Sequence, residues 1–154
     1  MYTEYQPSHL LVPYIDSYWE FKGNPDYGMR IHILPDGCTD FIFTLGEVAN
    51  AVEEGSLIMQ PYRSYFVGPM TKYSELVTYT ESIHMFGVRF LPCGLSCFTN
   101  LPLHEFVNSR VSTNEMKAVF DDTFIEKLGE QKHVTDRIRV VEEYLLAYLA
   151  RHYQ

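Results

Sequence analysis

Apolar and polar positions alternate through the first ninety or so residues and then settle into a spacing of three and four near the C-terminus. Period two marks strands and period 3.6 marks helices. Within Ser17–Phe21, Trp19 and Phe21 share one face of an extended segment, and Tyr18 and Glu20 share the other. In Ile83–Phe90, His84, Phe86, Val88 and Phe90 fall on one face, while Ile83, Met85, Gly87 and Arg89 fall on the other. Shorter β segments are predicted at Ser56–Gln60, Ser64–Val67 and Ser74–Thr80, with Pro61 and the Gly68-Pro69-Met70-Thr71 turn between them. Gly46–Gly55 is a polar connection with room for one weak strand, and residues 1–9 read as a loose entry, with Pro7 ending any early strand.

The strongest local signal is Ile31–Phe43, where Leu34-Pro35-Asp36-Gly37 separates two apolar runs. Pro35 presets φ, Asp36 can bond a neighbouring N–H, and Gly37 can adopt positive φ. The expectation is a β-hairpin whose second strand is Thr39–Leu45.

After Pro92 the period changes. Helical turns are predicted at Gly94–Asn100 and Leu103–Asn108, and short helices at Asn114–Phe120 and Asp122–Leu128, the latter stopped by Gly129. A longer helix is predicted over residues 135–152, with Thr135 as N-cap and Asp136 in the first turn. There Ile138, Val141, Leu145 and Tyr148 form a seam, suited either to the chain's own sheet or to a second copy, and are the candidate dimerisation residues. Strands first and helices last predict an α+β fold: an antiparallel half-barrel or curved, cupin-like sheet followed by C-terminal helices. The 154 residues make a single domain, with a β-rich effector-binding part at 1–92 and a helical part at 93–154.

Composition narrows the function. The net charge of −8, with Lys and Arg scattered, argues against this segment gripping a phosphate backbone. Twelve Tyr and ten Phe can fill a core or line a pocket. Three cysteines and the lack of an apolar leader place the chain in a reducing cytoplasm, and no stretch reaches a membrane span of about 18 apolar residues.

Candidate chemistry is sparse. The predicted hairpin gathers His32, Asp36, Cys38 and Asp40, but the turn explains Asp36, and no nucleophile elbow or phosphate-cradling loop accompanies them. His32 and His84 lie on different strands without the His-x-His pair of cupin metal enzymes, so no metal, cofactor or catalytic residue is assigned. Arg89 is the exception: a cation in an apolar strand needs a carboxylate partner, with Asp40 or Asp36 to hand, or an anion in a pocket. Trp19, Phe41, Phe43 and Phe86 are the expected walls of that pocket, giving Trp19, His32, Asp40, Phe41, Phe43, Phe86 and Arg89 as candidate ligand-binding residues.

Four pieces occur in order: Tyr18-Trp19; Leu34-Pro35-Asp36-Gly37-Cys38-Thr39-Asp40-Phe41-Ile42-Phe43; Val67-Gly68-Pro69-Met70-Thr71; and Phe86-Gly87-Val88-Arg89-Phe90-Leu91-Pro92-Cys93-Gly94-Leu95. Together they resemble the N-terminal sensory domain of a subgroup of AraC/XylS-type bacterial transcription regulators, over roughly residues 7–150. Cys93 departs from the pattern, which has a small residue there. The resemblance implies a β-rich domain that senses a small-molecule effector, helices that mediate homodimerisation, and DNA contact only through a helix-turn-helix domain beyond these residues. The alternative is a standalone cupin-like binding protein or metal-dependent enzyme.

Overall fold

The computed structural model describes residues 2–23, 30–33, 38–45, 49–51, 58–59, 63–67, 74–78, 83–92, 94–99, 110–112 and 120–152. Their order is β1 (Tyr2–Tyr5), β2 (Ile15–Gly23), β3 (Arg30–Ile33), β4 (Thr39–Thr44), β5 (Ala49–Ala51), β6 (Ile58–Met59), β7 (Ser64–Val67), β8 (Ser74–Thr78), β9 (Ile83–Phe90) and β10 (Arg110–Ser112). Two helices follow, α1 (Asp122–Glu130) and α2 (Val134–His152). The α+β class, with antiparallel strands first and helices last, is as the alternation predicts. The strands divide between a six-stranded sheet, β1-β2-β9-β4-β7-β10, and a four-stranded one, β3-β8-β5-β6.

That division removes the hairpin. Both edges of β4 are taken, by β9 and β7, while β3 pairs with β8 in the other sheet. A turn signal reverses the chain locally, whereas the pairing partner is chosen by what buries Phe41 and Phe43. The Leu34–Gly37 turn itself, the Gly68–Thr71 turn, Cys93, Leu103–Asn108 and nearly all of Asn114–Phe120 lie outside the described residues.

Two strands lie where none was expected. β1 occupies the predicted loose entry and pairs with β2, and β10 returns to β7 after residue 92, so the segment from 93 onward is not wholly helical. Both are edge strands of three or four residues, held by one ladder of backbone hydrogen bonds that needs no apolar alternation. Between them, β2, β9, β4 and β7 form the buried centre. Past β9 the chain folds tightly against β2: the Leu91 N–H donates to the Tyr14 carbonyl at 2.9 Å. A Cβ on Gly94 would stand 2.2 Å from that same oxygen, so only glycine fits there. Leu95–Cys97 then form a 3-10 turn, within the helical turn expected at Gly94–Asn100.

The helices cover one face of the six-stranded sheet. Tyr18, Phe41, Phe43, Phe66, Phe86, Val88 and Phe90 form a common core with Phe120, Phe124, Leu128, Val140, Val141 and Leu145. The Phe41 and Phe120 ring centroids are 4.5 Å apart, and those of Phe120 and Phe124 are 4.4 Å apart. α1 is capped by Asp121, whose side chain accepts the Phe124 N–H at 2.8 Å, and it runs through Gly129 to Glu130 instead of stopping there. α2 starts one residue before the predicted cap. The His133 carbonyl accepts the Asp136 and Arg137 N–H groups, both at 3.1 Å, leaving Thr135 in the first turn.

The seam of α2 turns inward. Val141 and Leu145 are fully buried in this chain's own core, Ile138 and Tyr148 pack against it, and the Tyr148 ring lies 5.6 Å from Phe98. The four candidate dimerisation residues therefore dock α2 on its own sheet, because the Phe-rich face supplies the apolar surface their spacing requires. Leu145→Ala is expected to lower unfolding stability by about 3 kcal/mol, read from the urea midpoint at unchanged m.

Burial and the nearby Glu142 carboxylate raise the Tyr18 hydroxyl's pKa well above the ordinary tyrosine value. The folded state then holds this proton more tightly than the unfolded state. Its contribution to stability is complete below about pH 10 and is lost as pH rises further. The slope of stability against pH above 10 should be shallower in Tyr18→Phe than in the parent chain.

Candidate functional site

The other face of the six-stranded sheet carries different chemistry. Directly opposed residues share a face, so the register defines rows across it. One row runs Glu4, Trp19, Gly87, Ile42, Tyr65. The next runs Ser17, Arg89, Asp40, Val67. Ser17, Trp19, Ile42, Thr44, Tyr65, Val67 and Met85 are all buried there, away from the helices.

Trp19 is the centre of this face. Its indole lies across Gly87, where a Cβ would come within 1.9 Å of Trp19 Cε2. The absence of a side chain at Gly87 is what allows the ring to lie flat on β9. Tyr2 covers one side at a centroid separation of 5.9 Å and an interplanar angle of 31°. Trp19 is only 7 % exposed, and its Nε1–H has no hydrogen-bond partner among the described residues. A buried donor left unpaired costs about 1–3 kcal/mol.

Next to it is an ion-pair network. Arg89 Nε donates to Asp40 Oδ1 at 3.2 Å, and Arg89 Nη1 lies 3.7 Å from Glu4 Oε2. The same Glu4 oxygen accepts the Tyr2 hydroxyl at 3.1 Å and the Ser17 hydroxyl at 3.4 Å. Partial burial, opposed by the Arg89 charge and assisted by Glu4, pushes the Tyr2 pKa up to about 12, so it stays a donor at neutral pH. Arg89 thus meets Asp40, the structural partner expected of a cation in an apolar strand. With two carboxylates beside it, the guanidinium is not held open for an anion.

The sheet divides the predicted pocket. Trp19, Asp40 and Arg89 share the face turned away from α1 and α2, whereas Phe41, Phe43 and Phe86 lie on the opposite face, buried beneath these helices. His32 is in the other sheet, its backbone opposite Glu75. Period two explains the error: Phe41 and Phe43 are one residue out of phase with Asp40, so they cannot share its side. Glu4, Thr44, Tyr65 and Met85 were missed. Glu4 lies in a strand without an alternating pattern, and the others are separated from Trp19 by register that one sequence does not display.

Among the described residues no group of three or more His, Cys, Asp and Glu could hold a metal ion. On the other side, a cleft of about 300 Å³ between α1 and α2 is lined by Phe124, Val140 and Tyr144, with Asp121, Lys127 and Glu143 also lining it. Among the described residues no helix is long and apolar enough to cross a membrane.

Trp19 is the sole tryptophan, so its emission reports this face alone. Gly87→Ala should displace the ring, shift the emission to longer wavelength and lower stability by about 1–3 kcal/mol, as overpacking does. An unchanged spectrum would show that the ring is not held against Gly87.

Residues 3–112, more than half of the chain, match the family described as "Domain of unknown function (DUF6597)". The matched segment begins in β1 and ends on the last residue of β10, so it takes in the strands and neither α1 nor α2. No curated protein matches the chain. Among solved structures, the cupin_2 domain of an XRE family transcriptional regulator from Enterobacter cloacae is similar, at 10% identity and a TM-score of 0.48, covering 60% of this chain and 96% of that one. By its match over the strands, the chain belongs to the DUF6597 family.

Proposed function

We propose that this chain is the sensing part of a bacterial transcription regulator of the AraC/XylS type, and that it binds a small-molecule effector at Trp19, on the sheet face turned away from α1 and α2. The observation that carries the reading is the buried indole N–H of Trp19, which has no acceptor among the described residues. Buried donors in native proteins are nearly always paired, and one that is not asks for a group to complete it. Ile42, Val67 and Met85 supply buried apolar surface on the same face, the usual setting for a few directional polar contacts. Since Arg89 is already met by Asp40 and Glu4, the effector brings a hydrogen-bond acceptor rather than a net negative charge.

The four sequence pieces that resemble these regulators support the same role. Their residues include Trp19, Asp40, Gly87 and Arg89, which the register brings together. The reading leaves DNA contact to another domain of the regulator, in keeping with a net charge of −8 here. An odd count of three cysteines is in keeping with work in the cytoplasm. The role is recognition without turnover.

The test titrates the protein with fractions of a bacterial small-molecule extract while following Trp19 emission and Tm. A fraction that supplies the effector at about 100 times its Kd should add about 2.7 kcal/mol, a rise of roughly 5–10 °C, with a matching change in emission. If every fraction leaves both readouts unchanged, the sensing role is wrong.

A further inference from the structure

Strand β2 belongs to both faces at once. Trp19 lies on the side turned away from α1 and α2, and its two neighbours, Tyr18 and Glu20, point to the side of these helices, where each is bound to α2. The Tyr18 hydroxyl donates to Glu142 Oε2 at 2.9 Å, and the same oxygen accepts the Ser8 N–H at 2.9 Å. Glu20 Oε2 lies 3.6 Å from Arg137 Nη1 and 2.9 Å from His84 Nε2. Arg137 is 4 % exposed and is held at its far side by the Gln131 carbonyl, which accepts Nη2 at 2.9 Å.

The spacing of these two links is informative. Tyr18 and Glu20 are two residues apart on a strand, a span of roughly 6.6 Å. Arg137 and Glu142 are five residues apart on a helix, a span of roughly 7.5 Å. The spans match closely enough for β2 and α2 to be joined at two successive points, which resists pivoting as one link would not. Each link has one buried end, Tyr18 or Arg137, and one partly exposed carboxylate, so both are less open to water than surface pairs.

We propose that β2 is the transmission element between the Trp19 site and helix α2. Displacing the Trp19 ring moves the β2 backbone between Tyr18 and Glu20, and the two side chains carry that movement to Glu142 and Arg137. The biological use of this link rests on the effector reading given above, but the link itself is mechanical and is testable without an effector. Its output is the position of α2, the last element before the C-terminal end of the described chain.

The experiment is hydrogen exchange on the full 154-residue chain, reading the α2 amides from Arg137 to Leu145. Gly87→Ala supplies the displacement, its success checked by the shift in Trp19 emission. The same substitution is then made in a Tyr18→Phe/Arg137→Met background, which cuts both links while keeping apolar bulk. We expect Gly87→Ala to accelerate α2 exchange at least about fivefold in the parent chain and less than about twofold in the cut background. Equal acceleration in both backgrounds would mean general loosening and would overturn the proposal. So would an emission shift with no change in α2 exchange. If Gly87→Ala does not fold, Trp19→Phe provides the displacement and α2 exchange alone is read: equal acceleration in both backgrounds, or no acceleration in the parent chain, would overturn the proposal. Intact coupling alongside an effector screen that finds nothing would sink the sensing role and leave the link standing.

Discussion

Strands β2, β4 and β9 are buried on both sides, and a pleated strand gives each side chain only one of two directions. Nearly every property of this protein follows from how those directions are shared out. One set, Tyr18, Phe41, Phe43, Phe86, Val88 and Phe90, packs beneath α1 and α2 as the hydrophobic core. The other, Ser17, Trp19, Asp40, Ile42, Gly87 and Arg89, carries the polar chemistry. Slipping β9 by one residue would move a phenylalanine to the ion-pair side and Arg89 under the helices, and slipping β4 would do the same with Phe41 and Asp40. The register is therefore held by opposing demands on its two sides, and neither set can be altered without regard to the other.

Two buried or half-buried arginines mark the two faces. Arg89 ties β9 to β4 through Asp40 and approaches β1 through Glu4. Arg137 ties α2 to β2 through Glu20. Such pairs contribute less net stability than their contact distances suggest, because both charges must leave water. Removing one partner is costly, however, and that asymmetry makes them good at fixing which elements meet. Arg89 does this within the sheet, and Arg137 does it between the sheet and the helix that covers it.

Much of this was legible in the sequence. Ile83–Phe90 reads as a strand with the observed bounds, because eight residues of alternation admit one interpretation. The pairing of Arg89 with Asp40 could be anticipated, since a cation in an apolar strand needs a carboxylate. Pairing partners were harder. The Pro35-Asp36-Gly37 signal describes a local reversal and says nothing of which sheet each flank joins. β1 and β10 are held by backbone hydrogen bonds, which leave little imprint on side-chain pattern. The α2 seam was ambiguous for a different reason: apolar residues at three-and-four spacing describe a surface to be covered, and a chain's own core covers it as well as a second copy does. The site suffered most, because aromatic content pointed to a pocket while parity had placed three of its four rings in the core.

The contact between Trp19 and Gly87 has a consequence beyond this one chain. A bicyclic side chain at the first position leaves no room for even a methyl group at the second. Among related sequences the two positions should therefore change in concert: a larger residue on β9 is tolerable where the β2 ring has been traded for something small. An ancestor or descendant that kept one and replaced the other would have to repack the whole face. The pair is thus a compact evolutionary signature, readable from two alignment columns, of whether a given relative still has the indole-floored surface described here.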